Sequence, residues 1–255
     1  MSFSKIINRL QNRYQRDAAH FLARRMVEVR PAEPIISFTF DDFPRSALHQ
    51  GGAILKRHGL RGTYYVALGL MDTDIPAGRA FSKEDLLQVA ADGHELGCHT
   101  YAHCHAWKTA PRVFEANIVE NQRELQRLIP GAEFKSLSYP IACPRPETKR
   151  RTEKYFYCCR SGGPTFNLGA TDANNLQATF IEKHRDNPAV MLRLIEETCR
   201  SRGWLIFATH DVTENPSPFG CTPELFAEVV RAATNSGARI LPVAAAWEEM
   251  KLNIE

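Results

Sequence analysis

IISFTFDDFPRSALHQGGAILKRHGLRGTYYV, residues 35–66, decides the fold. Ile35–Phe40 is a short apolar run rich in β-branched and aromatic residues. It stops abruptly at two aspartates, the pattern of a buried strand. Ala47–His58 then carries apolar residues at helical spacing, and Thr63–Leu68 returns to a strand pattern. The alternation continues outward. Helices are predicted over Lys83–Asp92, Val113–Leu128, Pro188–Arg202 and Pro223–Ser236. Strands are predicted at Glu95–His99, Trp204–Thr209 and Arg239–Val243, with weaker ones at Ser136–Tyr139, Tyr155–Cys158 and Thr179–Ile181. Strand–helix alternation implies an α/β protein with a parallel sheet, open or closed into a barrel. In either arrangement the chemistry gathers where strands end, so polar residues directly after strands are the candidates.

The rest of the composition narrows the classes. An apolar fraction of 44% with 24% charged residues is that of a soluble globular chain, which excludes disordered, collagenous and coiled-coil classes. Lys and Arg number 32 against 29 acids, a balance unlike that of a general nucleic-acid binder. No apolar run approaches the roughly 20 residues of a membrane span. The seven cysteines (98, 104, 143, 158, 159, 199, 221) contain no C-x-x-C pair, and the first 25 residues lack a secretory pattern. These features predict reduced thiols in a cytoplasmic protein. Residues 1–30 form a separate segment: Phe3, Ile6, Ile7, Leu10, Tyr14, Phe21, Leu22 and Met26 recur at helical spacing, and seven basic residues face two acids. Such a helix packs on the main domain or on a second subunit in a homo-oligomer, or rests on an anionic membrane surface. Residues 31–255 then form the main domain.

Three strand ends carry ionisable groups. The first ends in Asp41-Asp42, where adjacent carboxylates need a cation or hydrogen bonds, although an Asx turn or helix cap uses the same residues. The third ends in His99, with His103 four residues on and His105 close behind; two such histidines can meet one metal. A late strand ends in His210. Two histidines and one carboxylate would leave coordination positions open, as hydrolytic metals require, and the spare Asp and His would supply a base and an acid.

With these residues in place, the chain resembles the NodB-homology polysaccharide deacetylases, carbohydrate esterase family 4, over roughly residues 35–245. ISFTFDD is similar to the family's first motif, GGAILKRHGLRGTYYV to the helix and strand that follow, DGHELGCHTYAH to the second motif and LIFATHD to the fifth. The resemblance implies a distorted (β/α) barrel, here with an added N-terminal helix. It also implies hydrolysis of an N-acyl group, acetyl or formyl, on an amino sugar in a glycan or glycan precursor, with lipopolysaccharide or O-antigen biosynthesis as a setting. Carried over by position, Asp42, His99 and His103 bind the metal (Zn2+, with Co2+ or Ni2+ able to substitute). Asp41 is the general base, His210 the general acid, and the backbone N–H of Ile141 the oxyanion donor. The implied partner is a carbohydrate, lipid-linked in one version, which places the enzyme at the inner membrane through residues 1–30.

Two departures stand against the pattern. Ser138-Tyr139-Pro140-Ile141-Ala142 occupies the third motif, where the family has an arginine at the Ser138 position. Arg145 and Arg160 are the candidates to replace it. The fourth-motif acid, which orients the catalytic histidine, has three candidates: Asp172, Glu182 and Asp186. These departures leave two alternatives, an inactive family member that binds carbohydrate and an O-acyl esterase. His105 is a candidate extra ligand or outer group, Cys104 a metal ligand or a buried thiol near the site, His94 a support for its strand, and Trp107 and Phe219 loop aromatics that pack there or stack on a sugar ring.

Overall fold

A computed structural model describes residues 3–252, with side chains described from 10 to 250. Seven parallel strands form a closed ring: β1 (Ile35–Phe40), β2 (Thr63–Val66), β3 (Glu95–Cys98), β4 (Ser136–Ser138), β5 (Cys158–Gly162), β6 (Leu176–Phe180) and β7 (Trp204–Thr209). Closure comes from β7 pairing with β1 along its whole length, Trp204 opposite Ile35 through Thr209 opposite Phe40. The other edge of β1 is divided. Arg239–Ile240 pairs with Ile35–Ile36, and β2 pairs only with Thr39–Phe40. That shared edge is the distortion in the barrel.

Strand β1 is buried at every position because each face meets a different apolar layer. Ile36, Phe38 and Phe40 join Leu205 and Phe207 in the layer between strands and outer helices. Ile35 joins Trp204, Ile206 and Ala208 in a second cluster with Trp247 and Met250 of the helix Val243–Leu252. This helix stands against the start of β1, where Ala246 N–H donates to Pro242 O and Leu241 N–H to Ile36 O. The strand ends carrying the candidate residues lie at the opposite mouth. Higher in the interior Gly97 is obligatory: a Cβ there would lie 2.5 Å from the Tyr65 ring. The missing side chain on β3 is what lets the Tyr65 ring fill the barrel.

Several elements differ in extent from the sequence reading. The N-terminal helix covers Phe3–Phe21 and does not reach Met26. The chain turns at Ala23 (φ 51°), and Met26–Val29, with two β-branched valines, pairs antiparallel with Gly169–Asp172. Lys149, fully buried, fastens the helix end: its Nζ donates to Ala19 O (2.6 Å), Leu22 O (2.9 Å) and Asp172 Oδ2 (2.5 Å). Ala18 and Ala19 are the buried face, whereas Leu10, Tyr14, Phe21 and Leu22 are exposed. The side chains of Phe3, Ile6 and Ile7 lie outside the described residues. The weaker strands run later or earlier than their patterns, as Cys158–Gly162 and Leu176–Phe180. The last strand stops at Ile240, because Val243 N–H donates to Thr63 Oγ1 (2.9 Å) and starts the final helix. Among the described residues no helix is long and apolar enough to cross a membrane.

Candidate active site

Three loops at the mouth are held in left-handed backbone. Asp42 (φ 60°) and Phe43 (φ 46°) follow β1, Thr100 (φ 59°) and His103 (φ 49°) follow β3, and Ile141 (φ 68°) follows β4. They are five of the eight described non-glycine residues with positive φ, so the strain is concentrated at this mouth. Each such residue costs about 1–3 kcal/mol and persists only where the surroundings impose it. Here the imposing contacts are specific: Asp41 N–H to Thr209 O (2.9 Å), Phe81 N–H to Phe43 O (3.0 Å) and Cys104 N–H to Thr100 Oγ1 (2.8 Å).

The turns bring Asp42, His99 and His103 together, with one ligand atom from each within 4.8 Å of the others. Asp42 Oδ1 lies 3.3 Å from His99 Nε2 and 3.0 Å from His103 Nε2. His99 Nδ1 sits 2.8 Å from Ser138 O, and a carbonyl only accepts, so the ring proton is on Nδ1. In the neutral ring Nε2 then presents a lone pair to the carboxylate. Asp42 Oδ1 is accordingly a buried acceptor with no hydrogen-bond partner. Lone pairs converging in this way fit a cation, and the Nδ1–carbonyl bond is the usual orienting contact of a metal-binding histidine. His105 and Cys104 stand outside this cluster. His105 Nδ1 accepts from Trp107 N–H and Lys108 N–H, a loop cap. His94, as expected, supports its strand: its Nδ1 accepts Gly62 N–H at 2.9 Å.

Asp41, next in the chain, is held away from this cluster. Its Oδ1 accepts from Arg160 Nη2 at 2.5 Å, and both side chains are buried. Arg160 also donates to Thr39 Oγ1 (2.9 Å) and lies over the Tyr65 ring, 4.6 Å from its centroid. Burial pushes the Asp41 carboxyl up, but Arg160, with His99 and His210, outweighs it and holds the group below the ordinary carboxylate range. Of the two candidates for the absent third-motif arginine, the structure brings Arg160 to Asp41. Arg145 instead donates to Trp107 O. Ser138 and Arg160 are register partners on β4 and β5, so the guanidinium enters from the neighbouring strand at the same level. Ser138 Oγ keeps only a long contact, 3.4 Å, to Asp41 Oδ2.

His210, after β7, places Nε2 3.9 Å from Asp42 Oδ2. Its ring lies between Phe180 and Phe219 (centroids 6.1 and 5.5 Å), and Nδ1 is 3.2 Å from Phe219 O. A backbone carbonyl therefore does the orienting expected of a fourth-motif acid. Asp211 shapes the loop that delivers it, accepting from Ser217 N–H (2.7 Å) and Oγ (2.5 Å). No sequence signal marks a carbonyl. Asp172 is engaged by Lys149 and Asp186 is exposed. Glu182 lies just past β6, near Asp41, where burial raises its carboxyl to about 8 and leaves Oε2 without a partner. Among the described residues the Ile141 N–H has no acceptor. Its side chain points outward, 65% exposed.

The profile of the family described as Polysaccharide deacetylase matches residues 28–157. A chitin deacetylase from Colletotrichum lindemuthianum is 33% identical over 131 residues, 48% of this chain and 50% of the relative. The chain thus spans about half the length of that curated relative. The solved structure of the chitin deacetylase from Colletotrichum lindemuthianum gives a TM-score of 0.59 at 19% identity, over 86% of this chain and 89% of that one. A family 4 acetyl xylan esterase from Clostridium thermocellum, in complex with a cobalt ion, gives 0.55 at 17% identity over 84% and 90%. A carbohydrate esterase family 4 pseudoenzyme from Bacillus anthracis gives 0.59 at 12% identity over 86% and 67%. At such identities these structures establish the shared barrel.

Proposed function

Because the chain belongs to the polysaccharide deacetylase family, we propose that it is a metal-dependent hydrolase that removes an N-acyl group, acetyl or formyl, from an amino sugar. The observation that carries the reading is the separation of two adjacent carboxylates. Asp42 turns an oxygen to the Nε2 atoms of two imidazoles, while Asp41 is turned onto Arg160. That separation suits Asp42 to a ligand's role and Asp41 to a base's.

Asp42, His99 and His103 would hold a divalent cation, which would supply Lewis acidity to the acyl carbonyl and to the attacking water. Asp41 Oδ1 is occupied by Arg160, so Oδ2, with only its long Ser138 contact, is the oxygen that takes the water proton. The new C–O bond forms as the carbonyl oxygen gains charge, which the unbonded N–H of Ile141 meets. His210, carrying a proton on each ring nitrogen when it acts as the acid, keeps Nδ1–H on Phe219 O and transfers Nε2–H to the departing nitrogen, which leaves as an amine. The amide C–N bond breaks and the acid is released. Release of acetate or formate from N-acyl amino sugars, with and without added metal, tests the reading. Release from O-acyl sugars alone would favour the esterase, and no release at all would favour the carbohydrate-binding pseudoenzyme.

Two imidazoles and a carboxylate suit Zn2+, with Co2+ or Ni2+ as substitutes. The His99→Ala, His103→Ala double variant is expected to lose the cation by elemental analysis while its far-ultraviolet circular dichroism is unchanged. Full metal content in that variant would remove the assignment.

The setting we propose is biosynthesis of a glycan precursor in the cytoplasm, such as lipopolysaccharide or O-antigen, with the substrate carried on a lipid. Its supports are seven free thiols and the exposed Leu10, Tyr14 and Phe21 of a basic helix, with Leu22 just past its end. Removing residues before Pro31 would also remove the strand Met26–Val29, so substitution is the better probe. The full chain is expected to sediment with anionic liposomes. Leu10→Glu, Phe21→Glu should weaken this by about tenfold or more, since burying such side chains is worth roughly 1.5–3 kcal/mol each. Equal, negligible binding by both proteins would eliminate the membrane component.

A further inference from the structure

We propose that the ring of Phe219 is the stacking platform for the sugar that bears the departing nitrogen, so that a pyranose ring is part of what this site selects. The proposal rests on the deacylase reading above and deepens it with a binding residue.

Phe219 is 45% exposed and belongs to neither of the two apolar clusters of the barrel. Among the described residues its ring meets one other ring, that of His210, with 5.5 Å between centroids and 50° between planes. The loop that carries it is firmly built. Asp211, 2% exposed, accepts from Ser217 N–H (2.7 Å) and Oγ (2.5 Å), and the same Oγ accepts Phe219 N–H at 3.1 Å. Cys221 N–H donates to Asp211 O (2.9 Å), and a Cβ on Gly220 would run into the Asp211 backbone and carboxyl. The Phe219 carbonyl faces His210 N–H (3.3 Å) and Nδ1 (3.2 Å). The backbone of Phe219 is thus engaged at both its N–H and its carbonyl, while its ring stays open to solvent. An aromatic side chain with two rotatable bonds, held in this way, loses little freedom when a ligand covers it.

The other wall beside His210 is already occupied. Phe180 lies nearly parallel to the imidazole, with centroids 6.1 Å and planes 20° apart. Lys183 Nζ lies over Phe180, 4.8 Å from its centroid, and a Cβ on Gly162 would stand 2.8 Å from its Cε2. Between the two rings the His210 side chain is only 15% exposed. A group that reaches its Nε2 therefore passes along Phe219. The acid meets the departing nitrogen at hydrogen-bond distance, about 3 Å, and the sugar carbon is one bond beyond. That brings the sugar ring to the scale of the 5.5 Å separating the imidazole from Phe219. A pyranose carries hydroxyls around its rim and C–H bonds on its faces. Those C–H bonds are slightly positive and an aromatic face is negative, and contact at about 4 Å adds dispersion. An aliphatic side chain would supply the contact without the complementary charge.

The test uses the methyl glycoside of N-acetylglucosamine with Phe219→Ala, Phe219→Leu and Phe219→Trp. Binding is read by calorimetry on the zinc-loaded full chain carrying Asp41→Asn, and acetate release on the same variants with Asp41 intact. Phe219→Ala is expected to weaken binding and raise KM by about tenfold, the equivalent of roughly half a buried Phe side chain. Phe219→Leu should recover only a minor part of that loss, and Phe219→Trp nearly all of it. Equal affinity with Phe219 and with Phe219→Ala overturns the proposal, and a loss that then falls on kcat alone would assign the ring to holding His210. Full recovery by Phe219→Leu also overturns it, since any apolar cover would then serve. Acetate release with binding indifferent to position 219 removes the platform alone. Aromatic-dependent binding with no acetate released by the wild type removes the deacylase reading alone.

Discussion

Asp41→Asn is expected to lower kcat by about 10²- to 10⁴-fold, the range for a general base, while the protein retains its cation. The asparagine keeps the shape of the side chain and can still accept from Arg160, so folding should survive. It cannot take a proton from water. Asp42→Asn should do the reverse in order of cause, losing the cation first and activity with it, because Asp42 Oδ1 is the oxygen that faces both imidazoles. His210→Ala should match Asp41→Asn in size, since an amine leaves poorly unless protonated. Elemental analysis beside turnover separates the two classes. If Asp41→Asn strips the cation and Asp42→Asn does not, the two carboxylates have been assigned in reverse. Activity near wild type in both Asp41→Asn and His210→Ala would demand a different base and acid.

The residues that end strands were legible in the sequence because strand patterns are strong and their ends sharp. IISFTF stops at Asp41, and β7 stops at Thr209 just before His210, so the topology alone carries these groups to one mouth. The residue that holds Asp41 was harder to find. Arg160 lies within β5 and has no pattern of its own. Its meaning is its register opposite Ser138, and strand register depends on long-range pairing. The partner of His210 Nδ1 is a carbonyl, which has no side-chain signature. The N-terminal helix read too long for a related reason: the apolar spacing continues to Met26, but the left-handed turn at Ala23 and the pairing of Met26–Val29 with Gly169–Asp172 are tertiary choices.

Arg160→Ala is expected to lower both activity and stability, in a way that tells positioning from folding. Asp41 would remain buried without its counter-charge, and removing one partner of such a pair costs about 3–5 kcal/mol. Desolvation would then be opposed only by His99 and His210, and the Asp41 carboxyl should rise. A base works in its ionised form, above its pKa, so the acidic limb of the kcat/KM profile should move to higher pH. At neutral pH the loss should be about ten- to a hundredfold, the equivalent of one charged hydrogen bond. Arg160→Lys should fall between, because a single ammonium cannot reproduce the fork set against Thr39, Asp41 and the Tyr65 face. The decisive variant returns the guanidinium to the family's position: Ser138→Arg with Arg160→Ser. The two sites are register partners, so an arginine on β4 approaches Asp41 from the adjacent strand at the same level. A positioning role predicts that this exchange recovers much of the activity lost in Arg160→Ala and returns the acidic limb toward its original pH. If Arg160→Ala folds with an unchanged melting temperature and a wild-type pH profile, Asp41 does not depend on Arg160. If stability returns in the exchanged protein but the pH limb does not, Arg160 acts only on folding.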